Sequence, residues 1–414
     1  MKKHIIISVL CAAFTAISCQ TEAIDTTEDA VATPPNTGIN YVDESAFINS
    51  LSTETFLNPT DISLNRNATT AGYNQVYGFN IPEDNQVLGF KWNTGDQNTT
   101  DWRPQGITGF TWNQKRFLLT TWYGIGPSNI DGVENQHKGV RISLVDITNP
   151  SSITYRHILL VQDKNNISNP KLFKATNSYD QLNLFAPVTI HAGGVAYANQ
   201  KIYVASTSLG LRVFDLNNII AASSDNTKNK IGQDANGDLK AFNYGYILPQ
   251  SGYYDILDGD PFSCVSLGEN TTGNNMLYTS QYKTSNSSII PSVYGFNLTS
   301  NGDIDTYIPA EISVPKDNAS GNNGPLYNIQ GVYRKDSTSV FTVTGKSSYK
   351  GSTARLVRYT DGEASGTRYR WPHGAEDFYL EKSTGLLWNL TEYETSKYGE
   401  ENRTVFAVRY SDYD

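Results

Sequence analysis

The feature that most constrains this chain is a unit that recurs five times. Its clearest copy, HAGGVAYANQKIYVASTSLGLRVFDLNNI at residues 191–219, holds a strand, a polar turn, a second strand, a Gly-containing turn and a third strand. The same order runs through PQGITGFTWNQKRFLLTTWYG (104–124) with KGVRISLVDITNP (138–150), and through PFSCVSLGENTTGNNMLYTSQY (261–282) with SVYGFNL (292–298). It returns in NIQGVYRKDSTSVFTVTG (328–345) with ARLVRYT (354–360), and in GAEDFYLEKSTGLLWNLTEY (374–393) with TVFAVRY (404–410). Fourth strands are predicted at 155–161, 242–248, 304–312 and 367–371. Four-stranded antiparallel units repeated in this way bury one another's faces when arranged radially, as the blades of a β-propeller. The last copy stops after three strands, and QVLGFKWN (86–93) stands just ahead of the first. That segment is expected to complete the last blade and remove the open edge of the ring. The predicted fold is therefore all-β, a five-bladed propeller closed by an N-terminal strand. The alternative is a seven-bladed ring drawing further strands from 51–100.

Composition agrees with many short strands. Of 414 residues 38% are hydrophobic and 18% charged, and 26 Tyr and 33 Gly stand against 2 Met. The net charge of −9 argues against a general polyanion binder, so no nucleic-acid partner is expected, although a local basic cleft stays open.

The opening MKKHIIISVLCAAFTAISC has a lysine pair, an apolar run and small residues before a cysteine. It resembles a bacterial lipoprotein signal, with an ordinary secretory signal as the alternative. The resemblance implies a signal peptide over 1–18, lipid attachment at Cys19 and a location in the cell envelope, anchored in the outer membrane. Residues 19–55 are expected to be anchor and flexible stalk, rich in Thr, Ala, Asp, Glu and Pro, and 56–414 the propeller. No other stretch of about 20 apolar residues occurs, so membrane contact is expected through the anchor only. Cys264 is left alone and is read as a small buried residue. A monomer is expected.

The segments GVRISLVDITNP and GLRVFDLNNI resemble the repeat of LVIVD-type bacterial propellers. Over roughly 100–414, the pieces PQGIT, HAGG, RVFDL, HGAED and TEY are similar in order to a group of secreted bacterial propeller proteins of unknown function. That resemblance implies fold and leaves activity open, because propellers host binding, lyase, hydrolase and scaffold roles alike.

In antiparallel blades the start of each innermost strand and the end of the second strand share one face. The starts bring Arg103, Gln105, His191, Gln330, His373, Glu376 and Asp377, and the ends bring Trp122, Tyr123, Gln281, Tyr282, Lys346, Glu392 and Tyr393. Three chemistries compete for them. β-Elimination on uronic-acid-containing oligosaccharides, by a lyase or dehydratase, needs carboxylate neutralisation, a base and an acid; His191 and Tyr393 with Arg103 and Lys346 supply these groups, and this reading is favoured. It is chemically similar to propeller-fold polysaccharide lyases. Glycoside hydrolysis would instead use paired carboxylates, Glu376 or Asp377 with Glu392, near His373. A non-catalytic glycan-binding or scaffold protein would offer Trp122, Tyr123, Tyr282 and Tyr393 as ring faces and Gln105, Gln281 and Gln330 as hydrogen-bonding amides. In each case the ligand is an oligosaccharide or polysaccharide. Neither cofactor nor metal is expected: DANGD at 234–238 reads as a turn, and no nucleotide-binding loop or zinc motif is present.

Overall fold

The computed structural model describes residues 38–70, 86–125, 138–173, 179–225, 227–257, 262–305, 309–317, 324–344, 354–394 and 403–413. The segment read as a signal, Cys19, the part of the expected stalk up to residue 37, and Lys346 lie outside these described residues. Within them the chain is a five-bladed β-propeller.

Blade 1 runs outward through Trp102–Trp112, Lys115–Gly124, Val140–Asp146 and Thr154–Asp163, and blade 2 through Val195–Ala198, Lys201–Ser206, Gly210–Asp215 and Tyr246–Ile256. Blade 3 is Cys264–Glu269, Asn275–Ser280, Val293–Asn297 and Ala310–Ile312, and blade 4 is Ile329–Lys335, Thr338–Val343, Arg355–Thr360 and Thr367–Arg370. Blade 5 has Ala375–Glu381, Leu386–Thr391 and Thr404–Arg409, and its fourth strand is Gln86–Lys91. The pairs Thr404↔Lys91, Val405↔Phe90, Phe406↔Gly89 and Ala407↔Leu88 close the ring where the repeat pattern placed the seam. The described strands between 51 and 100 are this one and two of two residues each, so the seven-bladed alternative falls.

Turn chemistry explains the recurring Asn-Gln-Lys. Asn113-Gln114 and Asn199-Gln200 all have positive φ, from 45° to 72°, forming two-residue hairpins between inner and second strands. Such turns match the twist of the flanking strands, and Asn tolerates the left-handed region better than most residues.

Period-two alternation then sends successive side chains to opposite neighbours. From one strand of blade 2, Ile202 and Val204 join the core against blade 1, while Tyr203 and Ala205 join the core against blade 3. From blade 5, Val405 and Ala407 face blade 1, and Phe406 and Val408 face blade 4. With the cluster around Cys264, Met276, Ile329 and Phe341, each of the five blade junctions has its own apolar core. Cys264 is fully buried, and burial pushes its thiol up to about 12, as suits a core residue.

Two expectations need correction, and a third, the turn at DANGD, holds. The stretch expected as stalk is structured from residue 39: Ile39–Asp43 pairs antiparallel with the outer strand of blade 2, and the following helix Ser45–Ser50 buries Phe47. Ile39, Phe47 and Leu51 are apolar anchors within an otherwise polar segment. The fourth strand of blade 2 is Tyr246–Ile256 rather than 242–248, because Phe242 and Asn243 form a left-handed turn, φ 50° and 70°, and pairing with the third strand begins only at Gln250. At DANGD the Asp234 Oδ1 accepts the N–H groups of Asn236 and Asp238, closing a turn.

Candidate functional site at the channel mouth

Inner strands of adjacent blades meet almost backbone to backbone. A Cβ on Gly194 would stand 2.3 Å from the Val265 nitrogen, so only glycine fits. At the mouth of this narrow axis, three inner strands break register. Blade 1 shifts between Pro104 and Ile107, blade 4 between Ile329 and Gly331, and blade 5 between Ala375 and Phe378. The bulged residues are Gln105, Gln330, Glu376 and Asp377. A bulge frees backbone groups and re-aims side chains, and the freed groups must find partners. Here Asn389 Nδ2 donates to the carbonyls of Glu376 and Asp377, at 2.9 and 2.7 Å, and Thr342 Oγ1 donates to Glu376 O at 2.8 Å.

The re-aimed side chains meet. Gln105 Nε2 donates to Glu392 Oε2 at 2.9 Å, and Gln330 Nε2 to Glu376 Oε1 at 3.3 Å. Arg103 sits beside Tyr123, its register partner, and its guanidinium lies 5.7 Å from the Tyr393 ring centroid. Tyr393 stacks on His373 at 5.1 Å, and Tyr123 on His191 at 4.1 Å. The structure thus brings together Arg103, Gln105, Tyr123, His191, Gln330, His373, Glu376, Glu392 and Tyr393. Glu376, Glu392, Gln105, His373 and Tyr393 lie deep, and Arg103, Tyr123 and His191 are half-buried above them.

The electrostatics separate the acidic groups. Burial, then the charges of Glu392 and Asp377, holds the Glu376 carboxyl well above the usual carboxylate range, against the pull of Arg103 and the Gln330 hydrogen bond. The protonated form of Glu376 is thereby favoured. Burial works against the charge of Arg103, but Glu392, Tyr123 and Glu394 outweigh it and hold the guanidinium above its ordinary value. Burial also raises Asp377, whose Oδ2 accepts the Val195 N–H at 3.0 Å, with the N–H groups of Phe378 and Ile107 opposing the rise. Asp377 thereby ties the inner strands of blades 1, 2 and 5 together and has a structural task. Among the described residues, Glu392 Oε1, Arg103 Nε and Asp377 Oδ1 are buried and lack hydrogen-bond partners. Open buried donors and acceptors at one mouth are where a ligand's hydroxyls would bind.

Trp122 does not join this group. It is fully buried in the core between blades 5 and 1, its Nε1 donating to Ser143 Oγ at 2.8 Å, so it offers no ring face to a ligand. Gln281 is buried on its own blade, where its Oε1 accepts the Ser292 N–H at 3.2 Å, and Tyr282 beside it is half-buried. Sequence reasoning missed Arg403. Fully buried at the start of a third strand, it donates to Glu392 O at 2.9 Å, to Asp96 O at 2.9 Å and to Glu394 Oε2 at 3.2 Å, locking the chain that carries Glu392. Its one sequence signal was an arginine directly before an apolar strand.

No protein-family model matches the chain, and no curated protein matches it in sequence. Among solved structures it is similar to a GH43_1 enzyme from Xanthomonas citri, with TM-score 0.38 and 10% identity over 75% of this chain and 88% of that one. It is also similar to a GH43 β-xylosidase/α-arabinofuranosidase from a compost metagenome, at 0.37 and 10% over 75% and 92%. A gluconolactonase from Xanthomonas campestris follows at 0.35 and 9% over 84% and 88%. Likeness this remote says nothing about chemistry.

Proposed function

We propose that the channel mouth is a carboxyl-pair site for hydrolysing a glycosidic bond, with Glu376 as general acid and Glu392 as its partner carboxylate. The observation that carries this reading is the asymmetry of the pair: Glu376 is pushed toward its protonated form, partly by the charge of Glu392, while Glu392 is held by Gln105 and faces Arg103. Pairs of acids whose surroundings differ in this sense divide acid and base roles between them. Glu376 gives its proton to the leaving oxygen as the C–O bond breaks. Glu392 either takes a proton from the attacking water or attacks the anomeric carbon itself, and the overall reaction consumes one water. Tyr123, His191 and Arg103 line the approach and suit a hydroxyl-rich ligand. The chain's N-terminal lipoprotein-like segment supports a proposed place on the cell envelope.

The β-elimination reading retains one specific support, the half-buried His191 stacked on Tyr123 near Arg103. A panel of neutral and uronate oligosaccharides separates the two. Hydrolysis releases reducing ends without ultraviolet absorbance, and Glu376→Gln and Glu392→Gln each cut the rate by about a hundredfold or more, as loss of an acid or base does. An absorbing unsaturated product, lost in His191→Ala and kept in Glu376→Gln, overturns hydrolysis in favour of elimination. Binding without turnover of any member removes the enzyme claim.

A further inference from the structure

Apart from the mouth, the outer edge of blade 1 encloses a cavity of about 410 Å³ whose lining includes Asn65, Arg66, Arg141, Arg156, Lys228 and Asn243. The lining holds four cationic side chains and no acidic one. The carboxylate behind it, Asp96, is fully engaged: Tyr155 donates at 2.7 Å, Arg141 Nη2 at 3.1 Å and Arg66 Nη1 at 3.2 Å, and His157 Nε2 lies 3.0 Å away. His157 adds no charge near neutral pH, because burial and Arg141 push its ring down to about 4 despite Asp96. Asp96 pairs with Arg66 and Arg141, and two cations of the lining, Arg156 and Lys228, have no carboxylate of this kind among the described residues.

Neither Arg156, which is half-buried, nor Lys228, which is exposed, has a hydrogen bond or an ion pair with the described residues. Arg156 is nonetheless held in place. Its guanidinium lies 5.1 Å from the Tyr246 ring centroid, and a Cβ on Gly245 would fall 2.4 Å from its Nη2, so glycine leaves it room. The lining also includes the left-handed Phe242-Asn243 turn, and such backbone in a bulky residue persists only where its surroundings enforce it. A positioned, half-buried guanidinium without a carboxylate partner is costly unless an anion arrives.

We propose that this cavity binds a phosphate dianion, as a monoester on a carrier of sugar size, through Arg156 and Lys228 with Arg66 and Asn243 completing the cradle. Two cations without a carboxylate partner suit a dianion better than a monoanion, and forked Arg donors match phosphate oxygens. The volume exceeds what the ion alone fills and lies within the range of small-molecule pockets.

The test is calorimetric titration of the full chain at fixed ionic strength with glucose 6-phosphate, glucose 6-sulfate, glucuronate and inorganic phosphate. The expected order places the phosphate ester at least about tenfold tighter than the sulfate ester or glucuronate. Arg156→Gln and Lys228→Gln should each weaken it about tenfold or more, the range for a hydrogen bond to a charged group. Lys228→Gln should leave the melting temperature of the ligand-free protein unchanged, since Lys228 is exposed and makes no hydrogen bond or ion pair with the described residues, while Arg156→Gln gives up only its contact with the Tyr246 ring. Inorganic phosphate binding as tightly as the ester also supports the site and names the free ion as its ligand. Equal affinity for glucuronate or the sulfate ester, or unchanged affinity in both variants, overturns the proposal. The outcome is independent of hydrolysis at the mouth.

Discussion

Phe90 and Val405 are direct partners across the seam of the ring, near opposite ends of the chain, and both belong to the core between blades 5 and 1. Phe90 is 1% exposed and meets Trp92 edge-on at 5.3 Å. Truncating a buried Phe to Ala costs about 3–5 kcal/mol through lost transfer energy and the cavity left behind. The edge-on ring contact puts Phe90 in the upper part of that range. Val87 is a control on the same strand: it is 36% exposed, and Val87→Ala should change stability by no more than about 0.5 kcal/mol. Urea unfolding of Phe90→Ala, Val405→Ala and the double variant then forms a cycle, and directly opposed strand neighbours should couple by roughly 0.2–1 kcal/mol. Size-exclusion chromatography adds a second readout, because a loosened seam bares the edge of Thr404–Arg409 and promotes association. Seam closure by Gln86–Lys91 is refuted if Phe90→Ala unfolds together with Val87→Ala and the cycle shows no coupling.

Three further outcomes follow from the geometry. Glu376 binds its proton more tightly folded than unfolded, so the unfolded state holds fewer protons and stability falls as pH rises above the ordinary value of 4.5. Glu376→Gln should therefore be more stable than the parent at pH 8 and lose that advantage near pH 4 in denaturant titrations; a constant difference across pH would contradict the assignment. Gly194→Ala should cost at least about 2 kcal/mol, because the added carbon meets backbone that cannot move aside; a neutral result would mean that blades 2 and 3 are less tightly apposed. Phe47→Ala should cost about 3–5 kcal/mol if its helix is integral to blade 2, and an unchanged melting curve would return that segment to the stalk.

Blade strands were legible because propeller strands bury both faces, and their hairpins carry turn residues with a physical signature, such as the repeated Asn-Gln-Lys. The seam was legible from a deficit, one strand missing at the end and one spare at the beginning. Polar residues at inner-strand starts pointed to the mouth, yet bulges carry no local signature, so the reason Gln105, Gln330 and Glu376 meet appeared only in three dimensions. Trp122 and Tyr123 were both placed there, although adjacent strand residues face opposite sides, and the register gave the mouth to Tyr123. Averaged composition hid Ile39 and Phe47 within a polar stretch, and the turn at Phe242 lacks the glycine that would have announced it.

Glu376 and Glu392 ride on the blade whose first three strands are made last and whose fourth is made early. During synthesis the chain thus passes through a long interval in which four blades can stack while the fifth has no partner for its outer strand. The carboxyl pair takes its final geometry only after residues near 409 have emerged and found those near 86. A chain cut before Thr404 would keep the strands of four blades and lack the pairing with Gln86–Lys91 that holds the fifth.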